Sequence, residues 1–240
     1  MRASEREARP RRGRWLLIGN SRWHWAAPTA EGLQCWSREP RGADHPTGEH
    51  LLAWAAVGPV PARSDLDPGR RLSLADVPLA AAPPWLGVDR ALVAWQAWQD
   101  CGLPVLVADA GTALSLTRVD GLGRFAGGRI LAGAALQWKA LAAGTALLPD
   151  LEPSAGPGVD GHPPEAAWPC ETAAAMRVGV VAGLAAAVGA AWEDARREEP
   201  RCRLRITGGD GAALAERLGL TPEPDLALRA LARLRPAPGP

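Results

Sequence analysis

Four short glycine-bearing segments stand at the ends of apolar runs in this sequence: Gly19-Asn20-Ser21, Gly111-Thr112, Gly127-Gly128 and Gly208-Gly209. Glycine lets backbone N–H groups approach a phosphate closely, and Ser21 and Thr112 add hydroxyl donors. Asp109 follows the apolar run Val105 to Ala108 and stands two residues before Gly111-Thr112. A carboxylate there either shapes a turn or binds a cation near phosphates. Asp89 and Arg90 follow Gly87-Val88 at the head of a helical pattern. Either Asp89 caps that helix and Arg90 is solvated, or Asp89 takes a proton from a hydroxyl while Arg90 grips a carboxylate or phosphate. Spacing alone leaves both readings open. In α/β sheets ligands sit beyond the strand ends, where such turns gather.

The elements that must position these residues alternate between strand and helix, which predicts an α/β fold. Trp15 to Ile18, a polar turn, and the alternating Trp23-Trp25-Ala27 stretch read as strand, turn, strand. Residues 37–50 and 59–71 read as loops, with the apolar segment Leu51 to Val57 between them. About ninety residues on, Val105 to Ala108, a small polar turn and Leu114-Leu116-Val119 repeat the first pattern, so the chain reads as duplicated. Leu92, Trp95 and Trp98 recur at helical spacing after Asp89. Further helices are expected over 134–143, from Thr172 to about Arg197, over 212–218 and over 226–234, with a strand at Arg203–Thr207. Residues 150–168, rich in Pro, Gly and Asp, read as a surface loop.

Composition narrows the chemistry. The chain has 240 residues, 27 Lys+Arg against 26 Asp+Glu and a formal net charge of +1, which argues against a nucleic-acid binder or a polybasic membrane protein. Lys139 is the only lysine and sits in Gln137-Trp138-Lys139-Ala140, so there is no Walker A loop. Cys35, Cys101, Cys170 and Cys202 are too scattered for a zinc finger or a disulfide scaffold. The apolar stretch Val178 to Trp192 is shorter than the ~20 residues that span a bilayer. No export signal is visible, and a cytoplasmic protein is expected.

The ordered set Leu17-Ile-Gly-Asn-Ser21, Gly87-Val-Asp-Arg90, Asp109-Ala-Gly-Thr-Ala113, Gly127-Gly-Arg-Ile130 with Gly133, Thr145 to Pro149, Thr172 with Gly179 and Gly183, and Thr207-Gly-Gly209 resembles type III pantothenate kinase. The resemblance runs from about residue 15 to 232. It implies the duplicated ribonuclease H-like fold of the actin, hexokinase and heat-shock chaperone ATPase type. The halves would be 14–104 and 105–235, after a disordered arginine-rich tail over 1–13. It also implies transfer of the ATP γ-phosphate to the primary hydroxyl of pantothenate, the first step of coenzyme A synthesis, by a homodimer. A monovalent cation (potassium or ammonium) and Mg²⁺ with ATP would be needed. By the same match, Gly19, Asn20, Ser21, Gly111 and Thr112 hold ATP phosphates, and Gly208 and Gly209 lie near the adenosine. Gly87, Val88, Asp89, Arg90 and Thr172 hold pantothenate, with Arg90 on its carboxylate and Asp89 as general base. Asp109 binds the monovalent cation.

The sequence also departs from that family. Where the family usually has a metal-placing aspartate two residues before the first glycine, this chain has Leu17. Where it often has an aspartate eight residues after the Asp109 position, this chain has Thr117. No tyrosine precedes Gly87, although Trp85 is nearby, and Ala132 replaces a usual proline. Leucine cannot ligate a metal, so Mg²⁺ would rely on ATP, water and other carboxylates. An alternative reading is a catalytically silent relative that binds a ligand or partner.

Overall fold

The computed structural model describes residues 13–40, 50–62, 64–151 and 166–238. All but Gly13 of the expected N-terminal tail, and most of the 150–168 loop, lie outside them.

Two four-stranded sheets carry the molecule. The first contains β1 (Arg14–Ile18), β2 (Trp23–Thr29), β3 (Gly32–Arg38) and β4 (Leu51–Ala56), in the order β3-β2-β1-β4. The second contains β5 (Val105–Ala110), β6 (Ala113–Val119), β7 (Phe125–Ala132) and β8 (Arg203–Thr207), in the order β7-β6-β5-β8. Each is a three-stranded antiparallel meander with a fourth strand parallel to the first. The sequence repeat is thus a repeat of topology. β3 was not anticipated and takes in part of the expected 37–50 loop. Only Leu33 and Cys35 of its seven residues are half-buried, so the edge strand carries a weak apolar alternation.

Strand alternation sends successive side chains to opposite faces. Trp15, Leu17, Ala53 and Ala55 face α1 (Val88–Cys101) and α5 (Leu226–Leu234), and so do Val105, Val107 and Val119 of the second sheet. The two helices are therefore packed between the sheets. The outer face of the first sheet is closed by tryptophans 23, 25 and 54 with Leu16, Ile18, Leu51 and Leu66. The outer face of the second is covered by α2 (Ala134–Gly144), α3 (Thr172–Glu198) and α4 (Gly211–Arg217). α1 stops at Gly102, whose φ of 61° is left-handed and whose N–H donates to the Trp98 carbonyl. α3 is long and apolar enough to cross a membrane by length and composition. Its buried side, including Met176, Leu184 and Val188, belongs to the core of the second half.

Gly127-Gly128 is not a strand-end turn. Both residues lie inside β7, with Gly128 opposite Thr117. The paired glycines hide the strand because they supply none of its apolar alternation.

Candidate functional site

The β1–β2 and β5–β6 turns meet across the two halves. The Ser21 and Thr112 hydroxyls are hydrogen-bonded at 2.7 Å. Arg22 beside the first turn lies near enough to Asp210 to act on its charge. Each turn is backed by a glycine that leaves no room for a side chain. A Cβ at Gly58, just past β4, would stand 2.1 Å from the Gly19 carbonyl oxygen. One at Gly208, just past β8, would stand 2.4 Å from the Ala110 oxygen and 2.6 Å from the Asp109 Oδ1. A Cβ at Gly133 would stand 2.1 Å from the Gly111 oxygen. Gly58 was not singled out by sequence, yet it follows β4 as Gly208 follows β8, so the duplication was the available signal.

Asp109 is the last inter-sheet residue of β5, in line with Val105 and Val107. Its register partners are Ser115 on β6 and Thr207 on β8, both buried. Paired residues share a face, so a carboxylate is flanked by two hydroxyl side chains. Burial, and then the charge of Asp89, pushes the Asp109 carboxyl up to about 6. Ser115 was missed, and Thr207 was noted only as part of Thr207-Gly-Gly209, because single hydroxyls within apolar strands read as ordinary strand residues.

Asp89 lies in the first turn of α1. Gly87 before it offers no side-chain cap, and the Asp89 carboxylate folds back against Gly87, where a Cβ would meet Oδ1 at 2.5 Å. Burial pushes this carboxyl up, against the Arg90 and Asp89 backbone amides and the Arg90 charge. Its electrostatic effect on Asp109 puts the two carboxylates in one neighbourhood. Arg90 is 9% exposed, and its Nε donates to the Thr117 Oγ1 at 3.2 Å. Val88 places its side chain in the core, leaving only its backbone for a ligand.

Leu17 is 7% exposed and packs with Trp15 and Ala55 on the inter-sheet face of the first sheet. Its register partner His24 binds the Ser37 hydroxyl through Nδ1 at 2.7 Å, and burial lowers the imidazole pKa. Thr172 opens α3 with its side chain exposed and shares no described hydrogen bond with Asp89 or Arg90. Gly209 is exposed beyond β8 with open space around it. Among the described residues, no group of three or more His, Cys, Asp and Glu is placed to hold a metal ion. Hard cations accept neutral oxygen donors, and Asp109 with Ser115 and Thr207 offers that chemistry, provided that ATP phosphates and water complete the shell.

Residues 74–194 match the family model described as type III pantothenate kinase. A type III pantothenate kinase of Synechococcus elongatus is 38% identical over 244 residues, covering 92% of this chain and 96% of the relative. One from Synechococcus sp. strain JA-3-3Ab is 41% identical over 234 residues, covering 92% of each. A Baf family protein of Campylobacter jejuni shares the fold, with a TM-score of 0.56 at 18% identity over 92% of this chain and 96% of that one. The duplicated fold of the actin, hexokinase and heat-shock chaperone ATPase type is the fold of this chain.

Proposed function

The chain belongs to the type III pantothenate kinase family and is an ATP-dependent phosphotransferase, and we propose that Asp89 is the base that activates the acceptor hydroxyl. The acceptor in this reading is pantothenate, and the product is 4'-phosphopantothenate.

One observation carries the proposal: Asp89 is a half-buried carboxylate at an uncapped helix start, close enough to Asp109 for its charge to act on that carboxyl at the end of β5. A carboxylate raised from its ordinary range is a better proton acceptor near neutral pH than a solvated one. Phosphoryl transfer asks the protein mainly for positioning and charge neutralisation. The backbone of Gly19-Asn20-Ser21 and Gly111-Thr112 supports the first role, with their hydroxyls braced against each other. Gly208 and Gly209 line the nucleotide side. Arg90, one residue from the base, would receive the carboxylate of pantothenate, and Thr172 would contact the same substrate.

Asp109, with Ser115 and Thr207, would hold the potassium or ammonium ion, and Mg²⁺ would arrive with ATP. These cations supply charge neutralisation at the phosphates when bound. With Leu17 in the core, the described carboxylates left near the nucleotide are Asp109, Asp89 and Asp210, whose backbone N–H donates to the Ala110 carbonyl. The domain halves follow the sheets, 14–104 and 105–235, although α5 returns to pack on β1 and β4. Exposed Leu136, Leu141 and Leu147 lie on and just after α2, which packs on the Gly/Ala-rich α3, and an apolar surface of that kind suits a homodimer. A cytoplasmic location fits a kinase of soluble substrates.

The test is mass detection of 4'-phosphopantothenate after incubation of the chain with MgATP, pantothenate and potassium. Product that requires all three supports the reading. A folded chain that binds pantothenate and forms no product would instead favour a silent binder, a reading that the buried Leu17 keeps open.

A further inference from the structure

Arg90 is the only charged side chain among the described residues that is buried to nine-tenths. No described carboxylate comes within ion-pair distance of it. Asp89 acts on it only at longer range. Its one side-chain hydrogen bond among the described residues goes from Nε to Thr117, which is 0% exposed. Gly128, the partner of Thr117 across β6 and β7, clears the space on the other side, since a Cβ there would stand 2.6 Å from the Arg90 Nη2. A buried guanidinium without a counter-charge is costly unless an anion meets it.

We propose that Thr117 is the positioning residue for Arg90: its hydroxyl fixes the guanidinium through Nε and, being uncharged, leaves the cation to be answered by the carboxylate of the acceptor. The residue at this place therefore acts on the substrate-binding arginine rather than on the cation at Asp109. Side-chain direction agrees, since Ser115 is the β6 residue beside Asp109 and Thr117 stands one step further along, beside Val107. The inference deepens the pantothenate reading and rests on it.

The test compares pantothenate with pantothenyl alcohol, in which a hydroxymethyl group replaces the carboxylate. Thr117→Val keeps the branched shape and removes the acceptor. It should raise KM for pantothenate about tenfold with kcat within about twofold, while the alcohol is unaffected. Thr117→Ser should restore KM. Thr117→Asp supplies an internal counter-charge and should cut the preference for pantothenate over the alcohol about tenfold. Wild-type KM in Thr117→Val with wild-type preference in Thr117→Asp, or equal changes for both compounds, would overturn the inference. If the wild type phosphorylates neither compound, the kinase reading fails on its own. The inference is then read from calorimetric Kd values for the two compounds, where the same pattern supports it and no preference for the carboxylate overturns it.

Discussion

The two sheets share order, direction and the glycine that closes each turn, yet they differ where the chemistry is. At the inter-sheet end of the first sheet, Leu17 pairs with His24, whose imidazole pKa is lowered by burial. At the corresponding end of the second, Asp109 pairs with Ser115 and Thr207. One sheet ends in packing and the other in oxygen donors. A duplicated frame thus supplies two glycine turns joined through Ser21 and Thr112, while in the proposed reading the acidic work falls to Asp109 in the second half and Asp89 on the helix between.

Exchanging the two ends is the sharpest way to break that comparison. Asp109→Leu should lower turnover about 10²-fold and abolish the preference for potassium over sodium. It should also raise the thermal midpoint, because a carboxylate that burial disfavours is removed. Leu17→Asp should cost on the order of 3 kcal/mol in denaturant unfolding, since it buries a charge beside Trp15 and Ala55. MgATP should recover part of that loss if the site can still take a cation. Equal stability changes in the two variants would mean that the ends do not differ as described.

The closing glycines test what the halves share. Gly58→Ala and Gly208→Ala each push a Cβ into backbone, at 2.1 Å and 2.4 Å. Each should cost about 1–3 kcal/mol of stability and weaken ATP binding in a calorimetric titration. Gly208 also has a φ of 90°, which adds strain for alanine. A loss at one site alone would break the symmetry.

The contact between the turns is weaker because it is exposed. A double-mutant cycle on Ser21→Ala and Thr112→Ala should give a coupling of about 0.5 kcal/mol in unfolding, with ATP affinity falling more than stability. The smallest effect separates the outer hairpins. In the β6–β7 turn, partial burial works to raise the Asp120 carboxyl, but hydrogen bonds from the Arg124 and Leu122 amides and the Arg124 guanidinium outweigh it and hold the pKa below the usual range. In the β2–β3 turn, Thr29 makes the local bonds without a titrating group. Because the folded pKa of Asp120 is lowered, its stabilisation is present above the ordinary carboxylate range and is lost as pH falls through the lowered value. Asp120→Asn should flatten the acid limb of the stability profile slightly, and Thr29→Ala should leave its slope alone.

Much of this was legible in the sequence, for physical reasons. Strands such as β5 open on an apolar run, Val105 to Ala108, and the repeat of turn chemistry about ninety residues apart marked the duplication. Asp89, Arg90 and Asp109 were singled out because they stand beside glycines, at the head of a helical pattern and at the end of an apolar run. What was hidden depended on register. Ser115 and Thr207 flank Asp109 only because strands distant in sequence pair there. Thr117 marked a departure in the sequence, but its bond to Arg90 needs the packing of α1 on the second sheet. β3 and the interior glycines of β7 carry too little apolar alternation to announce a strand.

The central claim is that Asp89 is the base, within electrostatic reach of Asp109. Its most direct test is a coupled ADP-release assay with MgATP, pantothenate and potassium, run on the wild type and Asp89→Asn with matched unfolding midpoints. The account predicts pantothenate-dependent turnover in the wild type and a fall in kcat of about 10²–10⁴-fold in the variant. A folded Asp89→Asn that keeps wild-type kcat would contradict it.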